Sequence, residues 1–228
     1  MKNIAIIPAR SGSKGLKDKN IKLLNGKPML AYSIEAAKNT GLFDEIFVST
    51  DSELYAEIGI KYGAIVPFLR NAELASDTAS SWDVVKSVLT GLRQLRKIYD
   101  TVALLQPTSP LRTSQDIIDA YSVLEEKHAN AVVSVCEVDH SPLWCNKIPE
   151  DGSLVNFISK ENVMKSRQEL ETYYRINGAL YVVKTDYLFS AETIYDSECY
   201  AYTMTKRKSI DIDDQLDFQI AETLFQII

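Results

Sequence analysis

A chain of 228 residues with 46% apolar and 25% charged side chains can build one α/β domain with a sizeable core, and no run approaches the roughly 18–20 apolar residues of a membrane span. Its 25 Lys/Arg against 31 Asp/Glu give a net charge of −6, which argues against a general nucleic-acid binder. Three well-separated cysteines (Cys136, Cys145, Cys199) without CxxC spacing, and only 2 histidines, argue for free thiols in the cytoplasm and against a zinc site.

The amino terminus lacks the basic-then-apolar pattern of a signal peptide, so none is expected. The first element is a buried strand over about Asn3–Pro8, carried by Ile4-Ala5-Ile6-Ile7. A cationic, Gly/Ser-rich loop follows, running from Arg10 through Ser11, Gly12, Ser13, Lys14 and Gly15 to Lys19 and Asn20. Residues 1–27 hold seven Lys/Arg and one acid, Asp18, against the sign of the whole chain. Backbone N–H groups freed by glycine, with cations beside them, suit a phosphate. The carboxyl end of the first strand is also where open α/β sheets bind ligands. The loop is neither G-x-x-x-x-G-K-[ST] nor G-x-G-x-x-G, which separates it from kinases, ATPases and dehydrogenases.

Pro28 is expected to open a helix to about Lys38, with Leu30, Ile34 and Ala37 inside and Gly41 as a stop. Glu45–Ser49 reads as a second strand, ending in the capping run Ser49-Thr50-Asp51-Ser52. Leu54, Ile58 and Tyr62 mark the next helix, Gly63 its end, and Ile65-Val66 a short third strand. After a polar connection, Arg70–Thr78, Ser80 or Ser81 caps a helix to about Arg96. Val102–Leu105 is a central strand closed by Gln106-Pro107-Thr108-Ser109-Pro110; Ser114 caps a further helix, and Ala131–Val138 is a fifth strand. Alternating strands and helices predict a doubly wound, mostly parallel sheet in a single domain over residues 1–228. Residues 139–176 break the pattern, and a loop-rich stretch of that length is usually functional. A strand resumes at Ala179–Val183, and Leu216, Ile220, Leu224 and Ile227 line one face of a last helix.

Ser209-Ile210-Asp211-Ile212-Asp213-Asp214 is the second informative stretch. In extended backbone Ile210 and Ile212 face the core while Asp211 and Asp213 share the other side. Two readings stand: a Mg²⁺ (or Mn²⁺) site held by both carboxylates, or a solvated strand end. Asp214 precedes the last helix and reads as its cap.

Five segments together resemble the CMP-N-acylneuraminate synthetase (acylneuraminate cytidylyltransferase) family: IIPARSGSKGL with Lys19-Asn20, ELASDTASS at 73–81, LLQPTSPLR at 104–112, Arg167 with RINGALY at 175–181, and SIDIDD at 209–214. They lie in the family's order across nearly the whole chain. The resemblance implies a Rossmann-like, GT-A-like nucleotidyltransferase that moves CMP from CTP to the anomeric hydroxyl of a nine-carbon 2-keto sugar acid and releases pyrophosphate. It implies that Arg10, Ser13, Lys14, Lys19 and Asn20 surround the nucleotide, with Arg10 and Lys19 neutralising phosphate charge, and that Arg70, Ser80 and Ser81 line its pocket. It further implies Asp211 and Asp213 on Mg²⁺, with Asp211 among the catalytic groups, and Gln106, Arg167, Asn177 and Tyr181 facing the sugar acid. From the residues alone, Gln106 could instead cap loop amides, Tyr181 could be a plain strand residue, and Arg175 a surface ion-pair residue. The stretch 139–176 corresponds to a dimerisation arm that closes the partner's sugar site, so a homodimer is implied. Sialic-acid members place a lysine after His-x-Pro-Leu; here Trp144 follows His140-Ser141-Pro142-Leu143. That leaves N-acetylneuraminic, legionaminic and pseudaminic acids open, beside the eight-carbon Kdo and, as a different class, a non-catalytic nucleotide sensor.

Overall fold

The computed structural model describes residues 1–13, 15–76 and 80–227. Its strands are β1 (Asn3–Pro8), a short hairpin of β2 (Leu23–Leu24) and β3 (Lys27–Pro28), β4 (Glu45–Ser49), β5 (Thr101–Leu105), β6 (Ala131–Glu137), β7 (Tyr174–Lys184) and β8 (Cys199–Thr203). Outside the hairpin they form one six-stranded sheet in the order β4-β1-β5-β7-β6-β8. β1 runs parallel to β4 and β5, and β6 to β8, while β7 is antiparallel to both of its neighbours. The sheet is therefore mostly parallel, with β7 the reversed strand.

The helices are α1 (Met29–Lys38), α2 (Glu53–Tyr62), α3 (Ser81–Gln94), α4 (Ser114–Glu126), α5 (Thr185–Ser190) and α6 (Gln215–Gln226). Both sheet faces are covered, which is why β1 and β5 could be continuous apolar runs. Leu30 and Ile34 of α1, Tyr55 of α2 and Ile117, Tyr121 and Leu124 of α4 pack on Ala5, Ile7, Ala103 and Leu105. Val85, Val88, Leu89 and Leu92 of α3 and Leu188 of α5 pack on Ile4, Ile6, Val102 and Leu104. Each such fully buried Leu or Ile contributes roughly 1.5–3 kcal/mol. A third cluster joins Leu16 of the cationic loop, Leu24 and Met29 to Ile212, Phe218 and Ala221. It carries the acidic stretch and α6 to the first loop.

The structure corrects several expectations. Pro28 is the cap before α1, not its first residue. Leu54 is exposed, and α2 instead buries Tyr55, Ala56 and Gly59, because Gly59 lets Val48 approach within about 3.2 Å of where a Cβ would sit. Ile65-Val66 makes a single bridge to Phe47, not a strand. Ser80 caps α3 as expected, but the helix ends at Gln94. Thr113, not Ser114, caps α4, through a box with Asp116. β7 begins at Tyr174, inside the stretch read as irregular, and β8 was not anticipated. In α6 the stripe Leu216, Ile220, Ile227 faces outward and Leu216 is 64% exposed. Phe218, Ala221 and Phe225 form a second apolar stripe, and Phe225 reaches Tyr32 at 4.9 Å between ring centroids.

Candidate active site

The strand order turns about β1: the chain goes out to β4 and returns to β5 on the other side. A crevice opens beyond the carboxyl ends of such strands. Because β7 is reversed, its amino end, Arg175 to Gly178, joins the same edge.

The cationic loop is strapped on both sides. The Ser11 N–H and hydroxyl donate to Asp51 at 2.7 and 2.6 Å. Burial would raise the Asp51 pKa, but these bonds and the nearby Arg70 charge leave it lowered. The Asn20 amide donates to the Arg10 carbonyl at 3.0 Å, and the Tyr55 hydroxyl to Asp18 at 3.1 Å. At Gly15 a Cβ would stand 2.5 Å from the Asp213 carbonyl oxygen, so only glycine lets the loop and the acidic stretch touch. Lys19 Nζ meets Asp213 Oδ1 at 2.9 Å across that contact. The loop after β5 holds the other side: Thr108 accepts from the Ile212 N–H at 2.9 Å, and its hydroxyl bonds Asp211.

Between these walls lies a cleft of about 370 Å³. Arg10, Ser13, Lys19, Asn20, Arg70, Ser81, Gln106 and Asp213 all line it, from widely separated parts of the chain. Arg70 is held by Ser49, donating to its carbonyl at 2.6 Å and its hydroxyl at 3.1 Å. Burial, reinforced by the Arg10 charge and opposed by Asp51, lowers its pKa to about 10, so it stays cationic at neutral pH. Asp211 does not itself line this cleft but sits beside Gln106, which does. A Cβ on Gly178 (φ +74°) would lie 3.7 Å from Asp211 Oδ2 and 3.8 Å from Gln106 Nε2, which sets the two side chains around one glycine. Burial raises the Asp211 pKa; the Thr108 bond, Lys19 and Arg175 oppose this and Asp213 adds to it.

The residues fit a hard divalent cation. Asp211 Oδ1 is buried with no hydrogen-bond partner among the described residues, and the Asp213 side chain is 78% exposed toward the cleft mouth. No cluster of three or more His, Cys, Asp or Glu occurs among the described residues, so such an ion would take no more than two of these ligands there, in keeping with the one or two carboxylates Mg²⁺ takes when phosphate completes its shell.

Other expected site residues lie elsewhere. Lys14 is outside the described residues. Ser80 spends its hydroxyl on the Trp82 and Asp83 N–H groups as a helix cap. Asn177 is buried, bonded to Ser134, Ser209 and the Ala179 N–H, so its amide closes the irregularity between β6 and β7 and is not left for a ligand. Tyr181 is nearly buried, edge-on to Trp82 at 5.5 Å, and its pKa is pushed up to about 12 by burial, Tyr195 and Asp211. Arg167 lies in a short turn after β6, beside Asp139 and Tyr173, away from the cleft of its own chain. Arg175, by contrast, donates to the Ser209 carbonyl at 3.1 Å and faces Asp211, a position that its sequence neighbours Tyr174 and Ile176 did not reveal.

A cytidylyltransferase family model matches residues 4–226. The chain belongs to the cytidylyltransferase family. It is 40% identical over 220 residues to an N-acylneuraminate cytidylyltransferase of Streptococcus agalactiae serotype V, covering 96% of this chain and 52% of that protein. The chain thus spans about half the length of that relative. It is 36% identical to a CMP-N,N'-diacetyllegionaminic acid synthase of Legionella pneumophila, covering all of this chain and 97% of the other. A solved CMP:2-keto-3-deoxy-manno-octonic acid synthetase, complexed with CTP, superposes over 100% of this chain and 99% of its own with TM-score 0.73 at 16% identity, which establishes the shared fold.

Proposed function

We propose that this cytidylyltransferase transfers CMP from CTP to the anomeric hydroxyl of a nine-carbon 2-keto sugar acid. One observation carries the reading: Arg10, Lys19 and Asp213, distant in sequence, line one cleft at the carboxyl edge of the sheet. The hydroxyl oxygen attacks the α-phosphorus in line, the bond to pyrophosphate breaks, and the hydroxyl proton passes to water. Little covalent help is needed; positioning and charge neutralisation dominate. Arg10 takes the charge developing at the α-phosphate and Lys19 that of the leaving pyrophosphate, while Ser13, Asn20 and Arg70 shape the nucleotide end. Gln106 lies toward the sugar-acid end, where Arg175 adds a cation; Tyr181, packed on Trp82, would support that wall from behind. Asp211 and Asp213 would hold Mg²⁺ or Mn²⁺, which neutralises triphosphate charge when bound.

The second part of the proposal is a homodimer. Residues 138–173 carry Val155 and Met164, 81% and 89% exposed, and Arg167 outside its own cleft. An arm of this kind fits one that packs on a second copy and brings Arg167, a planar two-donor fork for a carboxylate, to that copy's sugar acid. Three unlinked cysteines support a cytoplasmic reaction, and among the described residues no helix is long and apolar enough to cross a membrane. A second reading, an acid of the legionaminic or pseudaminic type, is favoured by relatives of matching length, a CMP-N,N'-diacetyllegionaminic acid synthase and pseudaminic acid cytidylyltransferases, and by Trp144 where sialic-acid members carry lysine.

Pyrophosphate release from CTP and Mg²⁺ with N-acetylneuraminic, legionaminic and pseudaminic acids and Kdo tests the proposal. Release that requires a nine-carbon acid is expected. Release fastest with Kdo, or none with any acid, overturns it.

A further inference from the structure

β5 and β7 pair in register up to Leu105 opposite Leu180, so the next pair would be Gln106 opposite Ala179. There the strands part, and the gap is filled by a guanidinium. Arg112 is 3% exposed, and its Nη1 donates to the Ala179 carbonyl at 2.6 Å and the Gln106 carbonyl at 3.3 Å. Its Nη2 donates to the Ser33 hydroxyl at 2.6 Å, which in turn donates to the Gln106 carbonyl at 3.3 Å. Arg112 Nε has no partner among the described residues, and the nearest countercharge, Asp116, is engaged by Thr113 and Lys208. A buried cation satisfied by neutral carbonyls is costly, and a core of ordinary residues would not keep one there for packing alone. Burial lowers its pKa to about 10, opposed by Asp116, so it is charged at working pH.

We infer that Arg112 is a positioning residue that sets the opening between β5 and β7, and through the Gln106 backbone aims the Gln106 amide at the sugar acid. Lysine cannot reproduce the contact, because a point ammonium does not span Ala179, Gln106 and Ser33 together. The inference rests on the reading of Gln106 as the sugar-acid side of the cleft.

The test is a double-mutant cycle of Arg112→Lys and Gln106→Ala, read as separate KM values for sugar acid and CTP. Arg112→Lys is expected to raise the sugar-acid KM roughly tenfold, the scale of one lost charged hydrogen bond, with CTP KM changed less than about twofold. In the Gln106→Ala background Arg112→Lys should add less than about twofold, since its route is already removed. Equal rises in both KM values, or an undiminished Arg112→Lys effect without the Gln106 amide, overturns the inference. A Gln106→Ala variant with unchanged sugar-acid KM overturns the reading beneath it. Should Arg112→Lys fail to fold, Ser33→Ala carries the same cycle, with an expected rise of roughly two- to fivefold that vanishes in Gln106→Ala.

Discussion

The cationic loop after β1 and the excursion between β6 and β7 are both irregular backbone, but they are held in opposite ways. The first is tied to Asp51, Tyr55, Lys19–Asp213 and the third apolar cluster, which hold Ser11, Leu16, Asp18 and Lys19 in place before any ligand arrives. The second has two short turns, Pro142–Trp144 and Arg167–Glu169, and turns large apolar side chains to solvent. On our proposal the nucleotide half of the site is built within one chain and the sugar-acid half is finished by a second. Preorganised charge belongs where the transition state needs it, and the more variable substrate is met by the looser element.

The largest effect should come from breaking the fixed side. Arg10→Ala and Asp211→Asn are each expected to lower turnover about 10²–10³-fold at saturating CTP and Mg²⁺; near-normal turnover in steady-state kinetics removes that residue from the scheme. Next, if the arm packs on a second copy as proposed, the wild type should sediment as a dimer and Val155→Asp with Met164→Asp as a monomer, with the sugar-acid KM raised about tenfold or more and CTP binding within about twofold, because burying a charge at an apolar contact is costly. A variant that still sediments as a dimer shows the arm is not the interface.

Smaller effects sharpen the contrast by testing the straps. Lys208 meets the buried Asp116 at 2.9 Å just before the acidic stretch, and Tyr202 bonds the same carboxylate. Burial would raise the Asp116 pKa, but the Thr113 bonds and Lys208 leave it lowered. Its stabilisation is then complete above about pH 4 and is lost as pH falls through the folded value. Asp116→Asn should cost about 1.5–3 kcal/mol at neutral pH and flatten the acid side of the stability curve in urea melts; an unchanged acid slope contradicts this. Smallest, Tyr55→Phe frees Asp18 and should cost about 0.5–1.5 kcal/mol, with a modest rise in CTP KM.

Much of this was legible in the residues because it is local. Continuous apolar runs marked β1 and β5, and Asp214 marked the start of α6 where its carboxylate caps the Leu216 and Asp217 N–H groups. The charge reversal in residues 1–27 marked the loop. What stayed hidden depends on tertiary choice. α6 carries two apolar stripes, and only the position of Tyr32 and Leu24 decides that Phe218 turns inward. Asn177 reads as a ligand in its motif, but the irregular pairing of β6 with β7 requires its amide for Ser134 and Ser209. Gly178 and Arg175 gain meaning only once β7 runs backwards and brings them beside Asp211.

The central claim is that cations from the first loop and carboxylates at 211 and 213 enclose one polyanionic nucleotide. Crystals grown with CTP and Mn²⁺, read by the manganese anomalous signal, test it most directly. One peak is expected within bonding distance of Asp211 and Asp213, with the triphosphate against Arg10 and Lys19. A peak bound away from both aspartates, or a triphosphate outside that cleft, would contradict it.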